Sequence, residues 1–304
     1  KISSVKKVIV FPYKKDEKVF TEDFINFEDA LSKSNFDETF ERFDFNHPIY
    51  ILYSSGTTGK PKCITHGTGN VLIEHNKEFM LHCDVKDGDR LFYYTTTGWM
   101  MWNWLVGGLA TGSSIFLFDG APTYPKINIL LEYCQNKKIT LFGVSAKYID
   151  HLKNEKFNSQ GLDLSSLKVI TSTGSPLAEE SFKYVHENIK EDVHLASIAG
   201  GTDMVGCLVL GNLYSAVYKG EIQGQSLGID VDVFTENGMS AKVGEKGELV
   251  VKQPFPSMPV KFWGDVSDEK YHKAYFTRFN NIWHHGDFIE RTPNNGFIMR
   301  GRSD

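Results

Sequence analysis

Between residues 91 and 198 short apolar runs alternate with amphipathic segments of about ten residues, and no other feature restricts the fold as much. The runs at 91–95, 114–118, 140–144, 168–172 and 193–198 read as strands. The segments at 99–109, 127–136, 146–153 and 179–189 read as helices. Strands that alternate with helices of that length pair in parallel through crossovers. The expected fold class is therefore α/β, a doubly wound and mainly parallel sheet with helices on both faces. From about Tyr214 the texture changes: 229–234 alternates with period two, Glu236-Asn237-Gly238 is a hairpin signal, and 247–251 is a strand before three prolines. A smaller β-rich subdomain over 215–304 is expected there. Upstream, 5–11 reads as a strand, 27–32 as a short helix, 49–53 as a buried strand and 68–82 as a helix.

The run at 49–53 leads into Ser54-Ser55-Gly56-Thr57-Thr58-Gly59-Lys60-Pro61-Lys62, with four hydroxyls, two glycines and two lysines in nine residues. Glycines let backbone N–H groups turn toward an anion, hydroxyls add neutral donors and lysines add charge. Such a loop cradles a polyphosphate. It lacks the spacing of a Walker loop, and Pro61 keeps a helix from starting behind it. A plain Ser/Gly linker has no use for an apolar strand before it and two lysines after it.

Bulk properties exclude several classes. The 304 residues are 41% apolar and 23% charged, with a formal net charge of −5, which gives no reason to expect nucleic acid or an anionic membrane as partner. No apolar run approaches the roughly 18 residues of a membrane span. Cys63, Cys83, Cys134 and Cys207 are irregularly spaced, matching neither a zinc site nor a disulfide scaffold, so a reduced, cytoplasmic protein is expected.

Further clusters follow strand ends. Gly174-Ser175-Pro176 follows the strand at 168–172; alone it is a strand-to-helix turn, but its flat backbone suits a purine ring. Ala199-Gly200-Gly201-Thr202-Asp203 follows 193–198, and an isolated Thr-Asp pair there reads as a helix cap. Trp283-His284-His285-Gly286-Asp287 precedes a β segment, where adjacent histidines point to opposite faces and do not chelate together. Trp99-Met100-Met101-Trp102-Asn103-Trp104 reads equally as a buried helix or the wall of a pocket.

Ser54 through Lys62 resembles, position by position, the phosphate-loop signature of adenylate-forming enzymes. Four further stretches, at 172–177, 200–203, 283–287 and 300–304, resemble that family's other motifs in the same order. The resemblance implies ATP, Mg2+ and coenzyme A as small-molecule partners. It places Ser54, Ser55, Gly56, Thr57, Thr58, Gly59, Lys60 and Lys62 on the pyrophosphate, and Gly174, Ser175 and Pro176 on adenine. Thr202 falls on the α-phosphate, Asp203 on magnesium, Asp287 on the ribose hydroxyls, Arg302 on ribose and phosphate, and Asp304 at an interdomain hinge. The division implied is a nucleotide- and acyl-binding part over 1–214 and the β-rich part over 215–304. The family's C-terminal lid is expected to lie beyond this chain, which implies poor turnover by this piece alone.

Within the family, Tyr94 through Asn103, 118–122 and 199–203 resemble the branch that activates acetoacetate. Trp99, Met100, Asn103, Gly200 and Gly201 then fall in the acyl pocket, with Asn103 and Trp99 as candidate donors to a keto group. Where acetate-specific relatives carry a tryptophan, Gly200 leaves out an indole that buries about 150–250 Å², so an acid larger than acetate is expected. A synthetase for another short- or medium-chain acid and a non-catalytic nucleotide-binding module stay open; a kinase or NTPase is disfavoured by the missing Walker spacing.

Overall fold

The computed structural model describes residues 2–13, 24–33, 39–54 and 61–303. The chain separates into two compact units, 1–43 and 44–304. In the first, strands β1 (Val8–Val10) and β2 (Phe24–Asn26) pair in parallel, and helix α1 (Phe27–Ser32) follows at once. The Asn26 side chain caps α1 by accepting from Glu28 N at 2.9 Å, satisfying a donor that a helix start leaves open.

The second unit opens with strands β3 (Pro48–Ser54) and β4 (Lys62–Gly67) and helix α2 (Thr68–Lys77), which continues as a π-helical turn over Glu78–His82. Next come β5 (Arg90–Tyr93), α3 (Met100–Gly107), β6 (Ser114–Phe116), α4 (Ile129–Lys137), β7 (Leu141–Ser145), α5 (Ala146–Asn154), β8 (Val169–Thr173), α6 (Glu179–Tyr184) and β9 (His194–Ser197). Strands β6-β5-β7-β8-β9 form one wholly parallel sheet in that order. Alternation along each strand feeds two cores. Phe92, Phe142 and Leu195 pack with the α4, α5 and α6 side; Leu91, Tyr93, Leu141 and Ala196 pack with α2, its π turn and α3. Helices thus cover both faces, as the alternation of runs predicts.

The remaining strands are antiparallel. β10 (Ala199–Gly201) pairs with β11 (Gly206–Leu210), and β11 with β12 (Gly224–Gln225). A four-stranded sheet joins β13 (Val231–Phe234), β14 (Lys246–Val251), β16 (Trp283–Arg291) and β17 (Phe297–Arg302). β15 (Lys261–Phe262) adds to the outer side of β4, and α7 (Glu269–Tyr275) lies between β15 and β16 in sequence. Ile64, Leu208, Val231, Leu249, Trp283 and Ile289 share one core, so β4 and β11 are tied to the four-stranded sheet.

Three expectations need correction. The run at 49–53 is not a buried strand: β3 edges a three-stranded antiparallel sheet, and only Tyr50 and Leu52 turn inward while Ile49, Ile51 and Tyr53 are exposed. An apolar run counts as buried only if both faces are covered, and here one is. The loop after Ser54 therefore joins two antiparallel strands and does not leave the parallel sheet. The helices expected at 68–82 and 179–189 are present over those ranges, each closing in a π turn, Glu78–His82 and Val185–Ile189. Finally, the motif at 283–287 lies inside β16 and does not precede it.

Candidate active site

Beyond the carboxyl ends of β8 and β9 lies a cavity of about 290 Å³ lined by Trp99, Met100, Met101, Gly174, Ser175, Pro176, Gly200, Gly201, Thr202, Asp287 and Arg302, with Ser197, Gly206, Cys207, Ile222 and Met299 among the others. Each element contributes for a local reason. β8 ends at Thr173, whose hydroxyl donates to the Ile198 carbonyl at 2.8 Å and clamps the two strand ends together. The turn after it needs φ of +87° at Gly174, a left-handed conformation that glycine adopts without strain. Across the gap stands the Trp99 indole, 3.7 Å from where a Gly174 Cβ would be. Trp99 is extended and helix α3 starts after it, so Met100 and Met101 line the cavity at its start while Asn103, Trp104 and Leu105 are buried behind them. The 99–104 stretch is both a buried helix and a cavity wall.

Asp287 and Arg302 come from paired strands, and their positions face each other in the β16–β17 ladder. Arg302 Nη1 donates to Asp287 Oδ1 at 3.3 Å. His285 Nε2 stands 3.5 Å from Asp287 Oδ2, and Trp283 Nε1 donates to His285 Nδ1 at 3.4 Å. His284, pointing the other way, meets Glu248 Oε2 at 3.0 Å. The two histidines thus diverge, as their adjacency in a strand requires.

Asp203 is gripped beside this cavity. Lys62 on β4 forms an ion pair with its Oδ1, and the Tyr275 hydroxyl at the end of α7 donates to the same oxygen at 2.5 Å. Burial works to raise the Asp203 carboxyl, but Lys62, His285 and Tyr275 outweigh it and hold its pKa below the ordinary carboxylate value. Tyr275 stacks on Trp283, with centroids 3.7 Å apart, so its hydroxyl has little freedom. Burial, then the Asp203 charge, pushes the phenol pKa far up, so Tyr275 stays a donor. His66 on β4 is buried and donates to the Thr202 carbonyl; burial drives its pKa down to about 4, so it supports the Thr202–Asp203 corner as a neutral ring.

The structure brings Lys62, Gly174, Ser175, Pro176, Gly200, Gly201, Thr202, Asp203, Asp287, Arg302, Trp99 and Met100 to one place. Asn103 is not in the cavity lining; it is buried and hydrogen-bonds the Tyr50 side chain instead. Ser54 ends β3 with its hydroxyl buried and without a partner. Ser55, Gly56, Thr57, Thr58, Gly59, Lys60 and Asp304 lie outside the described residues. Sequence reasoning missed Tyr275 and His66: neither belongs to a motif, although a lone histidine in a β-branched run was a readable signal for His66.

Gly200 has a different reason from an absent indole. A Cβ there would lie 2.0 Å from the Gly206 carbonyl oxygen and 2.5 Å from Cys207 Cα, where the register of the β10–β11 pair shifts and the β11 backbone lies against it. The space is taken by backbone, and the cavity extends along Gly200 rather than into the place of its side chain.

Among the described residues no cluster of three His, Cys, Asp or Glu side chains is placed to hold a metal ion. Magnesium commonly takes one or two carboxylates and completes its shell with phosphate oxygens and water, and Asp203 fits that demand. Among the described residues no helix is long and apolar enough to cross a membrane.

Comparison with known proteins agrees. The chain is 55% identical over 266 residues to the acetoacetyl-coenzyme A synthetase of Rhizobium meliloti (strain 1021), covering 87% of this chain and 41% of that protein. It is 43% identical over 317 residues to the acetoacetyl-CoA synthetase of Gallus gallus, covering 100% and 47%. Among solved structures, the acetoacetyl-CoA synthetase from Streptomyces lividans superposes with a TM-score of 0.91 at 38% identity, covering 99% of this chain and 46% of that one. The chain spans somewhat under half the length of these relatives. The sequence model of the family described as AMP-binding enzyme matches residues 3–258, and the chain therefore belongs to the AMP-binding enzyme family.

Proposed function

We propose that the protein of which this chain is part activates acetoacetate with ATP, forming an acyl-adenylate and pyrophosphate, and then acetoacetyl-CoA and AMP. The observation that carries this reading is the meeting of Asp287, Arg302, Thr202 and the Gly174–Pro176 turn around one cavity beside Asp203. In it, Asp287 accepts from the ribose hydroxyls, each such charge-assisted bond adding about 1.5–3 kcal/mol. Arg302 lies at the ribose and phosphate, adenine lies on the turn at Gly174, Ser175 and Pro176, and Thr202 contacts the α-phosphate. The loop from Ser54 through Lys62 holds the leaving pyrophosphate. Asp203 would hold magnesium, which when bound would neutralise phosphate charge.

The acid's carboxylate oxygen attacks the α-phosphorus, the bond to the pyrophosphate oxygen breaks, and the CoA thiolate later displaces AMP from the carbonyl. Most of what the chain does is hold charge in place. Lys62 can give up Asp203 for a phosphate oxygen without losing an anionic partner. Among the described residues every strand after β9 pairs antiparallel, which supports a β-rich C-terminal part, and the division into 1–214 and 215–304 belongs to the same proposal. So do a cytoplasmic location and small-molecule partners without nucleic acid, which the net charge of −5 and the free thiols support.

The test is product identification on the full-length protein with ATP, Mg2+, CoA and a panel of short- and medium-chain acids. Acetoacetate-dependent AMP, pyrophosphate and acetoacetyl-CoA are expected. A preference for another acid overturns the substrate, ADP as product overturns the reaction class, and nucleotide binding with no acyl-adenylate from any acid leaves a binding module.

A further inference from the structure

The apolar end of the cavity has two sides. Its floor is the β10–β11 pair at Gly200, Gly206 and Cys207, and its wall is the start of α3 at Met100 and Met101. Both sides are tied to one buried carboxyl group. Glu78, in the π turn after α2, has no solvent exposure. Its Oε1 accepts from the Cys207 backbone N–H at 2.6 Å, and its Oε2 accepts from the Trp104 indole N–H at 2.6 Å. Cys207 is the residue that pairs with Gly200, and Trp104 lies on α3 one turn beyond Met100.

The close approach of β11 depends on the same group. A Cβ on Gly206 would come within 3.0 Å of Glu78 Oε1 and 2.8 Å of Glu74 Cγ. The strand is thus drawn down onto the carboxyl from one side while it presses on Gly200 from the other. The π turn supplies the geometry. It inserts one extra residue in the helical ladder, the kind of local irregularity that aims a side chain where a regular helix would not.

We propose that Glu78 is a positioning residue that sets the separation of β11 and α3, and through it the size of acid the cavity takes. It touches no substrate. The inference rests on the acid-activating reading above, and the two fail differently. If the wild-type protein activates no acid, both fall; if it does and variants at 78 leave acid recognition unchanged, this assignment falls alone.

The test is a double-mutant cycle on the full-length protein with Glu78→Gln and Trp104→Phe. Glutamine keeps the shape, but its amide nitrogen cannot accept, so one of the two N–H donors faces another donor. Glu78→Gln is expected to raise the KM for acetoacetate about tenfold, to leave the KM for ATP within about twofold, and to change the preference between acetoacetate and longer acids. With phenylalanine at 104 that donor is gone and the amide can turn its nitrogen to the vacated side. Adding Glu78→Gln to Trp104→Phe should then change the acid KM less than about twofold. Equal effects on both substrates, additive effects in the cycle, or an unmoved acid KM each overturn the assignment. Should Glu78→Gln fail to fold alone, Trp104→Phe decides it: loss of the tie from the carboxyl to α3 should change the preference between acetoacetate and longer acids while leaving the KM for ATP within about twofold, and an unmoved preference overturns the assignment.

Discussion

Asp203 receives its two hydrogen bonds from donors of different kinds. Lys62 brings charge, and its ammonium also lies 4.9 Å from the centroid of the Tyr275 ring; Tyr275 brings a neutral hydroxyl fixed by stacking. If the carboxylate acts by its charge on the phosphates and metal, Asp203→Asn should cost far more than Tyr275→Phe. The expected losses are about a hundredfold and about tenfold in ATP–pyrophosphate exchange by the full-length protein. A larger loss for Tyr275→Phe would place the function in the phenol. At this scale the sequence exposed Thr202, Asp203, Asp287 and Arg302 because each belongs to a short motif whose neighbours fix its backbone. It could not expose Tyr275, which reaches Asp203 from 72 residues away in the chain. Nor could it exclude Asn103, since only the start of α3 at Met100 turns that side chain to Tyr50 and away from the cavity.

At the scale of elements, the parallel sheet was legible and the antiparallel additions were less so. Strands β5 to β9 are separated by helices, and each change of period marks a boundary; the predicted ends differ from the observed ones by at most two residues. β4 carried no such mark, because Cys63, Ile64, Thr65 and His66 follow a loop and precede a helix without alternation of polarity. β10 holds only three residues and has two glycines, so its pairing with β11 is set by tertiary contact. That pairing makes Gly200→Ala informative. Its new Cβ would meet backbone, which cannot swing aside as a side chain can. The variant should lose about 1–3 kcal/mol of stability in chemical denaturation, as overpacked sites do, and should bind acid more weakly. An alanine tolerated at wild-type stability would mean that β11 does not close over Gly200.

The whole molecule stores a set of buried titratable groups whose sum decides its response to acid. His66 and His75 have native pKa values of about 4, with burial as the main cause, and His82 and His194 are lowered in the same direction. The unfolded chain protonates histidine near pH 6.5. Between roughly pH 6.5 and 4 it therefore binds protons that the native state refuses, and native stability falls as pH falls. Glu78 opposes this: burial, and the neighbouring Glu74 carboxylate, raise its pKa well above the ordinary value, so it binds a proton in the native state that the unfolded state has released. Two strongly shifted histidines against one glutamate leave a net difference of about one proton, and His82 and His194 add to the histidine side. Stability should then drop by roughly 1.4 kcal/mol or more for each pH unit between 6 and 5. Urea denaturation across that range measures it. His75→Gln serves as the internal control. The imidazole hydrogen-bonds the Val205 carbonyl at 2.7 Å through Nε2, a contact the amide N–H of glutamine can keep while removing one titration. The slope should fall by about 1.4 kcal/mol per pH unit in that variant, whatever its absolute stability. An unchanged slope would show that His75 titrates alike in the folded and unfolded protein.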